Sequence, residues 1–292
     1  MSQTIQKALG HGQGNDDRIS DGHGIEYVET VEAYNKWAEK VYDTDGNFLQ
    51  ALDTIEMKDL LPRFVVLAQA QADQKPGMVL CEQILKLVDL GCGTGRNTLQ
   101  LAKLAPKEAQ IIGLDASPGM LKIAKGTLQT QGVMGPVDGG RVVLGVYDLL
   151  SPQRESLPVS LRGGTGASGA ISTLVLEHIP LDKFFEGAAQ LIRPGGYLLV
   201  TNMHSEMGAI SQAGFVDVGS GKKIRPTSYA HEIGNVIAAA ERAGFEVVPL
   251  TDGESMRERR VDEEMVERLG SRARKWVGIM VWFGVFFRMR SN

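Results

Sequence analysis

The sequence predicts an α/β protein, a mostly parallel sheet with helices on both faces, preceded by a helical N-terminal segment. Three observations predict it. From Ile84 onward, short apolar runs alternate with amphipathic stretches, the pattern of repeated βαβ units. One of these junctions reads "LVDLGCGTGRN" (Leu87 to Asn97): an apolar run, an acid, three glycines at alternate positions, then a helix start. The chain has 292 residues, 43% of them hydrophobic and 23% charged, enough for one large domain with an added segment or for two small ones.

Residues Met1 to Gly24 are rich in Gly, Gln, Asp and Ser without periodicity and are expected to form a disordered tail (1–24). Apolar residues then recur at three- and four-residue intervals. They predict helices from Tyr27 to about Tyr42 and from Phe48 to about Gln71, a helical cap over 25–80. The alternation that follows gives strands at Ile84–Leu90, Gln110–Leu114, Arg141–Tyr147, Gly169–Leu176, Gly196–Asn202, Phe245–Leu250 and Trp276–Phe287. Helices are expected at Arg96–Leu104, Pro118–Gln131, Leu181–Leu191, His231–Ala243 and Asp262–Arg274. Residues 81–292 thus read as one α/β domain. Ser205 to Tyr229 breaks the rhythm, and so long a connection in a compact domain is usually functional.

A net charge of −4 makes a nucleic-acid partner less expected than a small molecule. The chain has two cysteines, too few for a disulfide framework or a cysteine-rich metal site. No His-x-x-x-His pair occurs, so no metal is expected. The N-terminus lacks the apolar stretch of a signal peptide, and the most apolar segment, Trp276 to Phe287, is too short to span a membrane, which needs ~20 residues. The expected location is the cytoplasm.

Glycine turns between strand and helix are common, and context sharpens this one. Asp115, in "IIGLDAS", follows at the tip of the next strand, where a carboxylate can accept from both hydroxyls of a ribose. Dinucleotide-binding loops have Gly-x-Gly-x-x-Gly spacing. Here it is Gly-x-Gly-x-Gly with Asp89 just before it. A carboxylate there opposes a pyrophosphate but suits a ligand with an ammonium and a sulfonium, which points to S-adenosyl-L-methionine. Asp148, in "VYDLL", ends the third strand, where an adenine amino group could be met. The bland alternative for Asp89, Asp115 and Asp148 is three solvated strand ends.

Through "VDLGCGTGRNTLQLA", "GLDASPGMLKIAK", "VYDLL", "STLVLEHI" and "LIRPGGYLLVTNMH", from Leu85 to about His204, the chain resembles the class I S-adenosylmethionine-dependent methyltransferases. The resemblance implies a Rossmann-like, seven-stranded sheet whose last strand is antiparallel and inserted beside the fifth, a place "WVGIMVWFGVFF" fits. It also implies cofactor contacts from Asp89, from Gly91, Gly93, Gly95 and Asn97, from Asp115 with Ala116, from Met120 over the adenine, from Asp148 with Leu149, and from Thr173 and Leu174. Over nearly the whole chain, "AYNKWAEKVYDTDGNFLQALDTIEM", "TNMHSEMGAISQAGF" and "KKIRPTSYAH" look similar to small fungal methyltransferases of secondary metabolism. The type in question O-methylates the N-hydroxyl of glandicoline B, an indole alkaloid, to give meleagrin. That implies a small-molecule substrate, with neither nucleic acid nor membrane as partner, and leaves the oligomeric state open.

Three aromatics precede the catalytic domain. Tyr34 and Trp37, three apart, share a helix face, and Tyr42 lies further on; they either form a lid over the cofactor or anchor the helix. O-methylation needs a base, and an imidazole suits it. His204, directly after the fifth strand, is expected as that base, His178 of "LEHIP" is the second choice, and Glu206 could orient or replace them. The insertion 205–229 is expected to line the substrate pocket, with Met203, Met207, Ile210, Phe215 and Tyr229 as its surface. Rival readings are an N- or C-methyltransferase of another metabolite, a protein or RNA methyltransferase, and a non-catalytic cofactor-binding regulatory subunit. A nicotinamide-dependent oxidoreductase is disfavoured by the glycine spacing.

Overall fold

A computed structural model describes residues 24–38, 47–73, 84–135, 140–162, 166–212, 214–217, 220–250 and 254–291. The expected tail lies outside these, apart from Gly24, as does Tyr42.

The central sheet is built from β2 (Lys86–Leu90), β3 (Gln110–Asp115), β4 (Val142–Val146), β5 (Ala167–Thr173), β6 (Ile192–Met203), β9 (Phe245–Val248), β10 (Met256–Arg260) and β11 (Met280–Met289). Its order is β4-β3-β2-β5-β6-β11, with β10 paired to the first half of β11 and β9 to the second. Only β11 runs against the others. β5 is buried at every residue and β11 from Val281 to Phe287. Helices cover both faces, so these strands read as continuous apolar runs rather than as alternation.

One face carries α2 (Phe48–Asp73), α3 (Arg96–Leu104) and α4 (Pro118–Thr130), the other α6 (Leu181–Leu191) and α8 (Ile233–Arg242), each packed through its own apolar cluster. α2 is not a separate cap. It lies on the sheet with Phe64 fully buried against Gly169 of β5, where a Cβ would come within 2.7 Å of the ring. Asn47 starts this helix by accepting from the Leu49 N–H at 3.0 Å.

The sheet has one strand more than the seven expected. β10, "MRERR", is too charged to announce itself as a strand; it is held by α2, whose Glu56 accepts two bonds from Arg259, at 2.6 and 2.8 Å. The expected Asp262–Arg274 helix is α9 (Glu263–Leu269), stopped by Gly270 at φ 87° and followed by a 3₁₀ turn.

A second, small sheet joins two segments that are distant in the chain. β1 (Ile25–Val28) pairs in parallel with β8 (Lys223–Pro226), which pairs antiparallel with β7 (Phe215–Val216). The helix expected from Tyr27 therefore begins later, as α1 (Thr30–Ala38), and β1 is fastened to the insertion after β6. Among the described residues, no helix is long and apolar enough to cross a membrane.

Candidate active site

A cleft opens at the carboxyl ends of β2 to β5, where ligands bind in open α/β sheets. The glycine loop forms its floor. Gly91 has φ 77°, and a Cβ there would meet Val175 Cγ2 at 2.2 Å, so no other residue fits. Gly93 has φ 54° and nothing within 4 Å of a Cβ position, which leaves its backbone open to a ligand. The Gly93 N–H donates to Asp115 Oδ2 at 2.8 Å, and the Ser117 N–H to Oδ1 at 2.8 Å. Burial pushes the Asp115 carboxyl up, and those two bonds oppose the shift. Each oxygen keeps acceptor capacity for a hydroxyl.

Asp89 is buried at the end of β2. Its Oδ2 accepts from Thr98 Oγ1 at 2.6 Å, while Oδ1 has no hydrogen-bond partner. Burial drives this carboxyl up to about 6, against the Thr98 bond and the nearby Arg96 charge. An unmet buried carboxylate oxygen calls for a cationic or donor group. Across the loop, Asn97 Nδ2 donates to Thr173 Oγ1 at 2.9 Å. Leu174, next along, holds φ 57°, a left-handed conformation uncommon for a leucine, with its N–H on Thr201 O at 2.9 Å.

His178 closes the other side. Its Nδ1 lies 3.0 Å from Thr227 O, and a carbonyl only accepts, so Nδ1 carries the hydrogen. The lone pair is then on Nε2, which accepts from the Tyr34 hydroxyl at 2.8 Å. Glu177 Oε1 is 3.4 Å from the same nitrogen. Tyr34 and His178 both line the cleft.

A domain model described as a methyltransferase domain matches residues 88–200. An uncharacterized methyltransferase of Emericella nidulans is 81% identical over 284 residues, 97% of this chain and 99% of that one. The chain belongs to the methyltransferases. A ubiquinone biosynthesis O-methyltransferase of Mesorhizobium japonicum is 24% identical over 184 residues, 58% of this chain and 66% of its own length. Among solved structures, an S-adenosylmethionine-dependent methyltransferase from Mesorhizobium loti is 19% identical, with 70% of this chain and 91% of that one covered at a TM-score of 0.49.

The methyl donor is S-adenosylmethionine, and the residues fit it. Asp115 offers acceptors for a diol, Asp89 an unmet carboxylate for an ammonium, and Gly93 an open backbone between them.

The methyltransferase brings most of the expected cofactor residues together. Tyr34, Gly91, Gly93, Asp115, Ala116, Met120, Asp148, Leu149, Thr173 and Leu174 line the cleft, and Asp89 and Asn97 line a smaller pocket on the far side of the loop. Gly95 lines neither; it ends the loop and caps α3 at φ 86°. Trp37 also stays outside the cleft, stacked between Tyr34 at 5.6 Å and Phe215 at 5.0 Å.

The expected base and substrate surface sit elsewhere. His204 caps α7 (Ser205–Gly208), its Nδ1 accepting from the Glu206 N–H at 3.1 Å, and its Nε2 donates to Glu258 Oε1 at 3.1 Å. Both ring nitrogens are engaged away from the cleft. Glu206 is exposed and accepts from the Met280 N–H at 2.9 Å, a bond that holds its carboxyl below the usual range. Met203 and Met207 are core residues, Ile210 is exposed, Phe215 stacks on Trp37 and Tyr229 on His231. None of these five lines the cleft. The insertion pairs with β1, and its end reaches the loop after β5 from behind, where Thr227 O meets His178 Nδ1 and the Tyr229 N–H donates to Glu177 O.

Sequence reasoning missed Thr30 and Val31 of α1, Ser117, Tyr147 and Ile179, all lining the cleft, and Gln50 and Arg96 in the smaller pocket. It also missed Asn35, whose Oδ1 accepts from Ser117 Oγ at 2.7 Å and from the Gly119 N–H at 3.1 Å and so docks α1 on the start of α4. Ser117 was findable as the N-cap of α4 before Pro118. Asn35 and Gln50 carry no local signal, since their roles come from elements that meet only in three dimensions. Among the described residues, no cluster could hold a metal ion.

Proposed function

We propose that this methyltransferase methylates a hydroxyl of a small, mostly apolar metabolite, with His178 as general base. The observation that carries the reading is the tautomer of His178: with Nδ1–H held by Thr227 O, its one basic nitrogen, Nε2, points at the lid residue Tyr34 beside the cleft.

The cofactor supplies an electrophilic methyl on a sulfonium. Asp115 accepts the ribose hydroxyls, Asp89 the ammonium, and Met120 and Leu149 pack the adenine. Tyr34 and Val31 close the cleft against water. With an acceptor held in line with the donor's methyl, His178 Nε2 would take the acceptor proton once the Tyr34 hydroxyl yields that lone pair. Glu177 Oε1 is then at hand to stabilise the imidazolium.

The resemblance to small fungal secondary-metabolite methyltransferases supports an alkaloid acceptor, such as the N-hydroxyl of a glandicoline-type indole. An O-methyltransferase among the relatives is consistent with oxygen as the acceptor. The test is a panel of phenols, N-hydroxyindoles and secondary amines, with release of S-adenosylhomocysteine as readout. Turnover confined to amines would overturn the hydroxyl assignment.

A further inference from the structure

The smaller pocket is more polar than the main cleft and carries both signs of charge, and part of its wall comes from outside the glycine-loop region. It shares Gly91, Gly93, Thr173 and Leu174 with the cleft, then continues past them to Asp89, Asn97, Arg96 and, from α2, Gln50. At one wall lies Asp89, whose buried Oδ1 has no hydrogen-bond partner. At another lies Arg96, whose side chain is 23% exposed.

The Arg96 guanidinium is braced from behind. Its Nη2 donates to Asp53 Oδ2 at 2.6 Å and its Nη1 to Thr54 Oγ1 at 2.9 Å. Asp53 is fully buried on α2. Its other oxygen accepts from Thr201 Oγ1 at 2.5 Å and Trp282 Nε1 at 3.0 Å, so the carboxylate is anchored to β6 and β11 as well. A guanidinium has five N–H donors, and the two given to α2 leave others for a ligand.

An unmet carboxylate oxygen and a braced guanidinium in one pocket match a zwitterion, an α-amino acid with an ammonium at one pole and a carboxylate at the other. We propose that Arg96 receives the carboxylate of the cofactor's amino-acid end and that Asp53 is the positioning residue that aims it. The inference rests on the cofactor placement proposed above, with the ammonium on Asp89. Arginine loses much rotamer freedom when a ligand must order it; a side chain already held by Asp53 and Thr54 has less to lose, and its fork suits a carboxylate. α2 thereby becomes part of the cofactor site as well as a layer of the fold.

The test is calorimetric titration of the full chain with S-adenosylmethionine and with its decarboxylated form, which keeps adenosine, sulfonium and ammonium and lacks only the carboxylate. The wild type should prefer the carboxylate-bearing ligand by about 30-fold or more. Removing Arg96 alone would leave Asp53 buried without its cation, so Arg96→Gln is combined with Asp53→Asn. The double variant, folded by circular dichroism, should lower the preference to roughly threefold or less while affinity for the decarboxylated ligand stays near wild type. Asp53→Asn alone should reduce the preference by about tenfold, since Arg96 is present but no longer held. A folded double variant that keeps the full preference, or that weakens both ligands equally, overturns the assignment. A wild type without preference would instead place the amino-acid end outside this pocket, and so fault the cofactor placement itself.

Discussion

The loops after β5 and β6 begin alike and end in different chemistry. Each leaves the carboxyl edge of the sheet and each carries a histidine, His178 in the first and His204 directly after the second. β5 lies next to β2, so its loop overhangs the glycine turn, and His178 lines the cleft with one nitrogen fixed as donor and the other as acceptor. β6 has β11 on its other side, and His204 is drawn that way: its own N–H donates to Val281 O at 3.0 Å and its ring bonds Glu258 of β10. A strand-end position alone therefore does not make a residue face the cleft. The neighbouring strand decides.

Exchanging the two histidines for alanine breaks this contrast if it is wrong. His178→Ala should lower kcat by ~10²–10⁴ while S-adenosylhomocysteine still binds, as loss of a general base requires. His204→Ala should leave kcat within about threefold of wild type. Equal losses in the two variants would return His204 to the active site.

Position against partners also separates the two acids. Asp115 is half-buried with both oxygens bonded, Asp89 fully buried with one oxygen unmet. Burial holds Asp89 near 6 against an ordinary 3.8, so the folded state binds this proton more tightly than the unfolded chain. The resulting stabilisation is complete below about pH 4 and is lost as pH rises through about 6, to an extent of roughly 3 kcal/mol. Asp89→Asn should therefore raise the melting temperature of the cofactor-free protein at pH 8, with the gain shrinking toward pH 4. The same variant should bind S-adenosylhomocysteine at least about tenfold more weakly, because a neutral amide replaces the partner of an ammonium. A variant less stable than wild type at pH 8 would mean that the unmet oxygen is not the strain it is taken for.

Asp115→Ala removes acceptors for the ribose, each charge-assisted bond worth roughly 1.5–3 kcal/mol, so calorimetry should show cofactor affinity reduced at least about tenfold. Unchanged affinity in a folded variant would remove Asp115 from the site. The smallest effect should come from His204 as a helix cap. His204→Ala should cost about 1 kcal/mol in a denaturant titration, the usual scale of a lost N-cap, and a neutral result would leave α7 held by Glu206 and Met280 alone.

Much of the glycine-loop side of the cleft was legible before folding. Asp89, Gly91, Gly93 and Asp115 lie on two adjacent strands and the turn between strand and helix, where residue type, spacing and local geometry are one matter: a chain that must turn at positive φ needs glycine, and an acid at a strand tip reaches the same edge. The α1 side of the cleft was less legible. Tyr34 and Trp37 were recognisable as sharing one helix face, yet nothing local tells that Trp37 stacks on Phe215 or that Tyr34 bonds His178, since these partners are far away in the chain. The insertion after β6 looked like a pocket wall because it is long and carries several apolar residues; instead its β8 pairs with β1 and its β7 with β8, which sets Phe215 against Trp37 of α1.

By itself the sequence determined the βαβ rhythm, the glycine turn, the acids at the strand ends and the continuous apolar run of β11, because each follows from short-range periodicity and from what backbone geometry and burial demand of residue type. Only the tertiary structure decided which histidine faces the cleft, that "MRERR" is a strand, and that Asp53 lies buried behind Arg96. Those outcomes depend on long-range pairing, β10 against β11 and α2 across β5 and β6, which sets whether a polar side chain meets a partner or is left turned toward a ligand.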